Sequence, residues 1–255
     1  MLRFEGVTRK FPNGAGVKEL TFGVDPGEIL ALIGLNGAGK TTLMRLALEM
    51  LRPQDGHIEI FDTPLPHLPI QKWANVGAAV ETVLAYPELS TTENLQLAAA
   101  LRGADPDCVT RAIETWGLEP LARRRFSQLS MGNRQRVGLA AALQHDPDLL
   151  ILDEPSNSLD PASVIFLRNE LTKRAESGAA ILVSSHHLDE VARIADRIIL
   201  MNHGRLIGEL QTTGPDLERT FFERIHADDR ARQTAGDAQK SRERGDRRAG
   251  LRSQL

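Results

Sequence analysis

The sequence predicts an α/β fold, and three observations carry that prediction. Short apolar runs alternate with helical patterns along most of the chain, as in strand–helix–strand units. The glycine-rich segment 34–41, which reads GLNGAGKT, follows the apolar run 28–33 and precedes a helical pattern. A second apolar run, 149–152, ends directly in Asp153 and Glu154. Both motifs therefore stand where strands of a sheet are expected to end.

The composition is that of an ordinary globular protein. The 255 residues are 41% hydrophobic and 25% charged, which suffices for one large α/β domain or two small ones. A net charge of −3 and 4% aromatic residues give neither a basic field nor a base-stacking surface, so no nucleic-acid partner is expected. The single cysteine, Cys108, fits a reducing cytosol and is interpreted as an ordinary thiol rather than a catalytic one.

The first third of the chain is predicted to be rich in strands. Alternating or apolar runs bounded by turn residues indicate five of them, and one helix follows the glycine-rich segment and stops before Pro53. The predicted strands cover 2–7, 20–24, 28–33, 57–61 and 76–80, and the helix covers 40–50.

A helical insert is predicted from about 83 to 145. It contains the capping-box sequence Ser-Thr-Thr-Glu at 90–93 with a helix to 102, and further helices begin near 105 and at 130. The α/β pattern then resumes, with strands at 149–152 and 180–184, helices from 161 and 187, a hairpin over 198–210 and a helix from 216 to about 225.

The end of the chain is predicted to be disordered. Residues 227–255 carry many charges and almost no apolar side chains, so they bury too little surface to fold on their own. A solvated tail is the plain interpretation, and contact with anionic lipid is the alternative. The predicted domain therefore spans 1–226.

The segment 34–41 follows the pattern G-x-x-x-x-G-K-[ST], and phosphate chemistry explains that spacing. Gly37 and Gly39 let the backbone wrap, so that its N–H groups and the helix N-terminus hold a phosphate. Lys40 is expected to bridge phosphate oxygens, and Thr41 to offer its hydroxyl to Mg²⁺. The residues predicted to contact the nucleotide here are Gly34, Asn36, Gly37, Ala38, Gly39, Lys40, Thr41 and Thr42.

Asp153 and Glu154 are the predicted carboxylates of the site. A buried strand delivers them to the carboxyl edge of the sheet, next to the phosphate loop. Asp153 is expected to hold Mg²⁺ through water, and Glu154 to act as the general base on the attacking water. A solvated acidic turn is the alternative for this pair taken alone, but the phosphate loop in the same chain favours the catalytic interpretation.

The order of the motifs resembles that of the ATP-binding-cassette (ABC) ATPases over about residues 1–225. After the phosphate loop and the helical insert come Leu-Ser-Met-Gly at 129–132, the strand with Asp-Glu, Ser-Leu-Asp at 158–160 and Ser-His at 185–186. The resemblance implies a P-loop NTPase fold, with a RecA-like α/β core, an antiparallel β subdomain and an inserted α-helical subdomain. It also implies a head-to-tail dimer that sandwiches two ATP molecules.

The resemblance assigns further residues to the ATP site. Ser130 and Gly132 are expected to address the γ-phosphate of the ATP held by the partner subunit, which suits a hydroxyl and a bare backbone N–H at a helix N-terminus. Asp160 is expected to lie in the loop that crosses the dimer interface. His186 is expected to contact the γ-phosphate, with His187 as the neighbouring candidate.

Four residues depart from the family pattern. Phe11 stands where an aromatic residue, usually Tyr, stacks on adenine, although a hydrophobic plug in a turn is the alternative. Met131 and Asn133 replace a glycine and a glutamine in the signature turn, residues 129–133. Glu81 replaces a glutamine and is expected to bind Mg²⁺. A glutamate at this position is typical of exporters of the bacitracin-resistance and lantibiotic-immunity type, which this chain resembles.

The resemblance therefore predicts the ATP-hydrolysing subunit of an ABC exporter, with ATP and Mg²⁺ as cofactors. The expected partners are a second copy of the chain and a separate integral-membrane permease for a drug, peptide or lipid-like cargo. The sequence shows no secretory signal and no run of 18 apolar residues, so we expect the permease to hold the chain at the cytoplasmic face of the membrane. A soluble ABC protein acting on ribosomes or DNA is one alternative, and a kinase sharing only the phosphate loop is another.

Overall fold

The computed structural model describes residues 1–81, 85–212 and 216–252, with side chains through Thr234. Within these ranges the chain forms strands β1–β10 and α-helices α1–α8. The strands are β1 Leu2–Lys10, β2 Gly16–Val24, β3 Ile29–Ile33, β4 Asp55–Ile60, β5 Thr63–Pro64, β6 Val76–Ala79, β7 Leu149–Asp153, β8 Ala180–Ser185, β9 Arg197–Asn202 and β10 Arg205–Leu210. The helices are α1 Lys40–Ala47, α2 Ile70–Trp73, α3 Thr91–Arg102, α4 Asp107–Thr115, α5 Met131–Leu143, α6 Pro161–Glu176, α7 Leu188–Val191 and α8 Leu217–Arg252.

The strands form two sheets. A six-stranded sheet has the order β10-β9-β3-β8-β7-β6, in which all neighbours are parallel except the hairpin of β9 and β10. A four-stranded antiparallel sheet has the order β2-β1-β4-β5. This architecture confirms the predicted α/β core with an antiparallel β subdomain. Because β8 pairs with both β3 and β7, the carboxyl ends of these three strands lie side by side.

The central strands are buried on both faces. Ile29, Ala31 and Ile33 of β3 belong to one apolar cluster, whereas Leu30 and Leu32 belong to another. The first cluster includes side chains of α5 and α6, and the second includes side chains of α1 and of the antiparallel sheet. Each fully buried Leu or Ile contributes about 1.5–3 kcal/mol. Layers on both faces explain why these strands are continuous apolar runs in the sequence.

The predicted helical insert contains α3, α4 and α5. The Ser90 hydroxyl accepts a hydrogen bond from the Glu93 N–H, and the Glu93 carboxylate accepts one from the Ser90 N–H, so the predicted capping box is present. α3 ends at Gly103, whose φ of 64° suits a glycine. The start of the insert, predicted near residue 83, lies outside the described residues.

Several elements are shorter than predicted or were missed. α1 ends at Ala47, three residues before the predicted end, and Glu49 beyond it has a φ of 55°. α7 is a single turn of four residues. The two-residue strand β5 and the short helix α2 were not predicted, because segments of this length carry no periodic signal.

α8 continues through the range that was predicted to be disordered. The side chains of Phe221 and Ile225, in its first turns, are buried in the core. Asp228 and Asp229 accept hydrogen bonds from the side chain of Asn202 at the end of β9. The prediction of disorder weighed apolar content alone, whereas the structure describes 227–252 as helix. The segment is rich in Arg and Ala, which favour helix, and the chain is already helical where the segment begins. In the described ranges, no helix combines the length and the apolar character needed to cross a bilayer.

Candidate active site

The glycine-rich segment forms a phosphate loop between β3 and α1. Gly37 and Gly39 have φ of 82° and 106°, values that favour glycine, and no side chain caps the N-terminus of α1. The buried Lys40 folds back, so that its Nζ donates to the Gly34 carbonyl oxygen at 2.7 Å. A Cβ on Gly34 would collide with the carbonyl oxygen of Met201. The loop is thus held in a wrapped form suited to an anion.

Asp153 joins the phosphate loop to the centre of the sheet. The Thr41 hydroxyl donates to Asp153 Oδ2 at 2.6 Å, although the two residues are 112 positions apart. The Ser184 hydroxyl donates to the other carboxylate oxygen, since Ser184 pairs with Asp153 across β7 and β8. A hydroxyl and a carboxylate side by side are hard oxygen donors of the kind that Mg²⁺ prefers, so this pair fits the ion.

Glu154 lies between two basic side chains. Its Oε1 is 3.2 Å from Lys40 Nζ, and its Oε2 is 2.7 Å from His186 Nδ1 and accepts the His186 N–H at 3.2 Å. The Glu154 φ of 49° is left-handed, and its N–H donates to the hydroxyl of Ser184 at 3.0 Å. Such a conformation costs about 1–3 kcal/mol in a residue other than glycine, so the surrounding bonds must maintain it.

The structure distinguishes the two neighbouring histidines. His186 contacts Glu154 directly, whereas His187 flanks the first turn of α7 and its N–H donates to the Ser185 hydroxyl at 2.9 Å. The two rings pack together with centroids 3.9 Å apart. Of the two candidates, His186 is therefore the one placed in the site.

The signature turn lies against the loop that follows β7. Ser130 begins α5, and its hydroxyl accepts the Asn133 N–H at 3.4 Å. A Cβ on Gly132 would lie 2.6 Å from the Ser158 carbonyl oxygen, so only glycine allows this approach. Met131 is 72% exposed beside them. The turn therefore presents Ser130 and Met131 outward, while Gly132 contacts residue 158 of its own chain.

Asp160 begins α6 from the loop beside the signature turn. Its carboxylate accepts hydrogen bonds from the Ser163 N–H and hydroxyl, both at 2.9 Å. The bond from the Ser163 N–H is the main cause of its lowered pKa. The exposed Asp160 is thus anionic and held at a helix N-terminus, next to the turn that carries Gly132.

Phe11 lies in the turn between β1 and β2. The ring is half-buried, and the Arg9 guanidinium lies 5.4 Å from its centroid. The Phe11 N–H donates to the Ala15 carbonyl oxygen at 2.9 Å, which closes the turn. The Gly16 carbonyl oxygen, next along the chain, would lie 3.0 Å from a Cβ on Gly39. The Phe11 turn and the phosphate loop are therefore neighbours.

Glu81 follows β6 at the same edge of the sheet, but its observed partner is Arg45. The two side chains form an ion pair, and each is about two-fifths exposed. Arg45 lies on α1, one turn after Thr41. Binding of Mg²⁺ by Glu81 stays a prediction, and in the described residues no three His, Cys, Asp or Glu side chains cluster into a metal site made of protein ligands alone.

Sequence reasoning missed two residues that organise the site. Ser184 binds Asp153 and Glu154 from the neighbouring strand, and Arg45 holds Glu81. A polar residue at the end of the apolar run 180–184 was the available signal for Ser184. Arg45 carried no signal, because helical arginines are common.

Comparison with known proteins identifies the family to which this arrangement belongs. The ABC transporter model matches residues 17–157. The chain is 40% identical over 212 residues to the bacitracin transport ATP-binding protein BcrA of Enterococcus faecalis, covering 82% of this chain and 69% of that protein. It is 37% identical over 216 residues to the SkfA peptide export ATP-binding protein SkfE of Bacillus subtilis (strain 168), covering 82% of this chain and 89% of that protein.

Solved structures share the fold. An ATP-binding subunit of an ABC transporter superposes with a TM-score of 0.78 at 30% identity, over 88% of this chain and 94% of that one. A dimeric bacterial ABC transporter cassette gives a TM-score of 0.75 at 25% identity, over 84% of this chain and 100% of that one. The family match and these relatives agree with the motifs that lie together at one edge of the sheet. The chain therefore belongs to the ABC transporter family.

Proposed function

We propose that the chain is the ATP-hydrolysing subunit of an export transporter, acting as a head-to-tail dimer on a separate membrane permease. The observation that carries the proposal is the position of Glu154 between Lys40 and His186, beside the Thr41–Asp153 pair. Glu154 is the candidate base, and Lys40 and His186 can bind phosphate oxygens. Together with the oxygen ligands that Thr41 and Asp153 offer to a metal ion, they lie at the N-terminus of α1, the arrangement that phosphoryl transfer requires.

ATP binding uses the phosphate loop. Its backbone N–H groups and Lys40 contact the β- and γ-phosphates, and the Phe11 ring stacks on adenine. Thr41 and Asp153 would hold Mg²⁺, with Glu81 as a further candidate, and a bound ion would supply positive charge beside the phosphate oxygens. Gly34, Asn36, Ala38 and Thr42 complete the contacts of the loop.

Hydrolysis uses Glu154 as the general base. When the phosphates engage Lys40, the Glu154 carboxylate is left to accept a proton from the attacking water. His186, which touches Glu154 through its ring and its backbone N–H, contacts the γ-phosphate and holds the base in position.

Dimer formation completes the site. Ser130 and Gly132 are proposed to bind the γ-phosphate of the partner's ATP, and Asp160 to lie across the interface. The outward presentation of the signature turn supports this role, as does the dimeric cassette with the same fold. Two copies exchanging the same contacts form a closed two-fold dimer.

A groove between the helical insert and the sheet supports docking of the permease. It has a volume of about 560 Å³ and is lined by residues of α3, α5 and β6, with Glu81 and the exposed Met50, Tyr86 and Leu101 at its rim. The pair of Glu81 with Arg45 links its wall to α1, the helix that carries Thr41. An apolar segment of the permease in this groove would thus bear on the helix that begins at the phosphate loop.

The cargo class follows from the relatives. One is named for bacitracin transport and the other for peptide export, which supports a peptide or drug-like cargo and a location at the cytoplasmic face of the membrane. Affinity purification of the tagged chain from membranes tests this part of the proposal. Recovery of a hydrophobic polytopic protein supports it, whereas recovery of ribosomes or DNA would favour the soluble alternative.

The substitution Glu154→Gln tests the catalytic assignment. We expect kcat to fall about a thousandfold, the middle of the range for loss of a general base, while ATP still binds and a closed dimer accumulates. ATPase assays and size-exclusion chromatography with ATP measure both effects. Asp189→Asn, an exposed acidic residue on α7, is the matched control and leaves kcat near the wild-type value. Normal turnover by Glu154→Gln would contradict the assignment.

A further inference from the structure

Asp228 and Asp229 of α8 hold the turn between β9 and β10. Asp228 accepts hydrogen bonds from the side-chain nitrogens of Asn202 and Arg205, both at 2.9 Å. Asp229 accepts a second bond from the Asn202 amide, also at 2.9 Å, and lies 3.2 Å from His203 Nε2. The amide nitrogen of Asn202 thus uses both of its hydrogens, and Asn202 is only 4% exposed. Two carboxylates therefore fix three residues in and beside one turn.

The turn held by this acidic pair touches the phosphate loop. The Gly204 N–H donates to the Ala38 carbonyl oxygen at 2.8 Å, and the Gly204 carbonyl oxygen accepts the N–H of Lys18 in β2 at 2.8 Å. His203 and Gly204 have φ of 45° and 77°, the consecutive left-handed pair of a tight hairpin turn. A Cβ on Gly204 would collide with the Gly16 carbonyl oxygen. The turn is thus packed against both segments.

The two segments that contact ATP in the proposed mechanism share this support. Ala38 belongs to the phosphate loop, and Gly16 and Lys18 continue directly from the turn that carries Phe11. Because Gly204 bonds to both sides at once, its position sets their spacing. Any displacement of the hairpin turn therefore changes the distance between the phosphate contacts and the adenine contact.

We propose that Asp228 and Asp229 are positioning residues for ATP binding, acting through the β9–β10 turn. They do not touch ATP, but they fix Asn202, His203 and Arg205, which fix Gly204 between the two ATP-binding segments. The proposal makes the first part of α8 a component of the nucleotide site, and it rests on the assignment of ATP to the phosphate loop.

The double substitution Asp228→Ala and Asp229→Ala in the full chain tests the proposal. We expect the Kd for a fluorescent ATP analogue and the KM for ATP to rise about five- to tenfold, with kcat at saturating ATP changed less than about twofold. The reason is that a misplaced phosphate loop weakens binding but leaves Glu154 in place. The amide pair Asp228→Asn and Asp229→Asn keeps an acceptor for Asn202 and should give a smaller increase.

Arg224→Ala is the matched control. Arg224 also docks α8, but on the Glu209 carbonyl oxygen at 2.6 Å, in the strand β10 rather than at the turn. The proposal requires its KM to stay near the wild-type value. Equal increases of KM in both variants, or a loss of kcat at unchanged KM in the double variant, would overturn the positioning role.

Two further variants keep the outcome unambiguous. If the double variant does not fold, as judged by its thermal transition, Asp228→Ala alone carries the test, and a KM within about 1.5-fold of wild type would refute the proposal. Lys40→Ala tests the ATP assignment separately: if that variant still binds the analogue, the assignment of ATP to this loop fails, irrespective of the acidic pair.

Discussion

Two parts of the stretch 129–160 differ in how their polar groups are satisfied. At the end of β7, Asp153 and Glu154 bond to groups on β8, at least thirty positions away, and on α1, more than a hundred positions away. In the signature turn, the Ser130 hydroxyl bonds to an N–H three residues on, and Met131 is 72% exposed. The carboxylates at the end of β7 have hydrogen-bond and ion-pair partners within their own chain, whereas the signature turn leaves Ser130 and Met131 exposed.

This difference fits the proposal that the two parts act on different ATP molecules. The carboxylates are aimed at the phosphate loop of their own chain. The turn combines a hydroxyl, a bare glycine and a helix N-terminus, groups that bind an anion when a second subunit brings one. The following predictions test this division in order of decreasing effect.

Gly132→Ala should disable the signature turn alone. The added Cβ would lie 2.6 Å from the Ser158 carbonyl oxygen, so the turn must shift away from its position. We expect ATP hydrolysis to fall about a hundredfold, comparable to loss of one transition-state hydrogen-bond donor, while the monomer's Kd for ATP stays unchanged. Gly103→Ala, at the end of α3, is the control glycine and should retain activity. Weaker ATP binding by the Gly132→Ala monomer would argue against the division.

Leu101→Glu should weaken permease docking without affecting the isolated ATPase. Leu101 is 77% exposed at the rim of the groove, where a charge would have to be desolvated by an apolar partner. We expect about tenfold weaker association with the permease, measured by co-purification, which corresponds to about 1.4 kcal/mol. Ile165→Glu, on an exposed face of α6, is the control. Equal loss in both variants would place the docking surface elsewhere.

His145 should make the stability of the folded chain depend on pH. This effect is independent of the β7 carboxylates and of the signature turn. Burial, with a further effect of the nearby Arg102, lowers its pKa from 6.5 to about 4. The unfolded chain therefore takes up a proton first, so the contribution of this residue is complete above pH 6.5 and is lost as pH falls toward 4. We expect the Tm of His145→Gln to fall a few degrees less than that of wild type between pH 7 and pH 5, by calorimetry. An identical decrease would show that another group controls acid stability.

Local motifs made most of the fold and part of the site predictable. The phosphate loop and the Asp153-Glu154 pair are short patterns tied to strand ends, and parallel pairing then brings them to one edge. Of the two neighbouring histidines, His186 contacts Glu154 in the structure, and its contact with the γ-phosphate stays a prediction.

Contacts between distant residues without a motif were not predictable. Side-chain directions that no local pattern encodes determine these contacts. Examples are the hydrogen bond of Ser184 to Asp153, the ion pair of Arg45 with Glu81 and the hydrogen bond of Asn202 to Asp228. The prediction of disorder for 227–255 rested on composition, which indicates how little a segment buries but not what anchors its first turn.

Complementation between two inactive variants tests most directly whether each ATP site is built from two chains. Lys40→Ala lacks a phosphate loop contact, and Gly132→Ala lacks a working signature turn, so each homodimer should be nearly inactive. In a mixed dimer, one site combines both defects and the other is intact. We predict that an equimolar mixture recovers about a quarter of the wild-type ATPase rate, because half the dimers are mixed and each has one intact site. No activity above the sum of the separate variants, at any ratio that forms mixed dimers, would contradict the account.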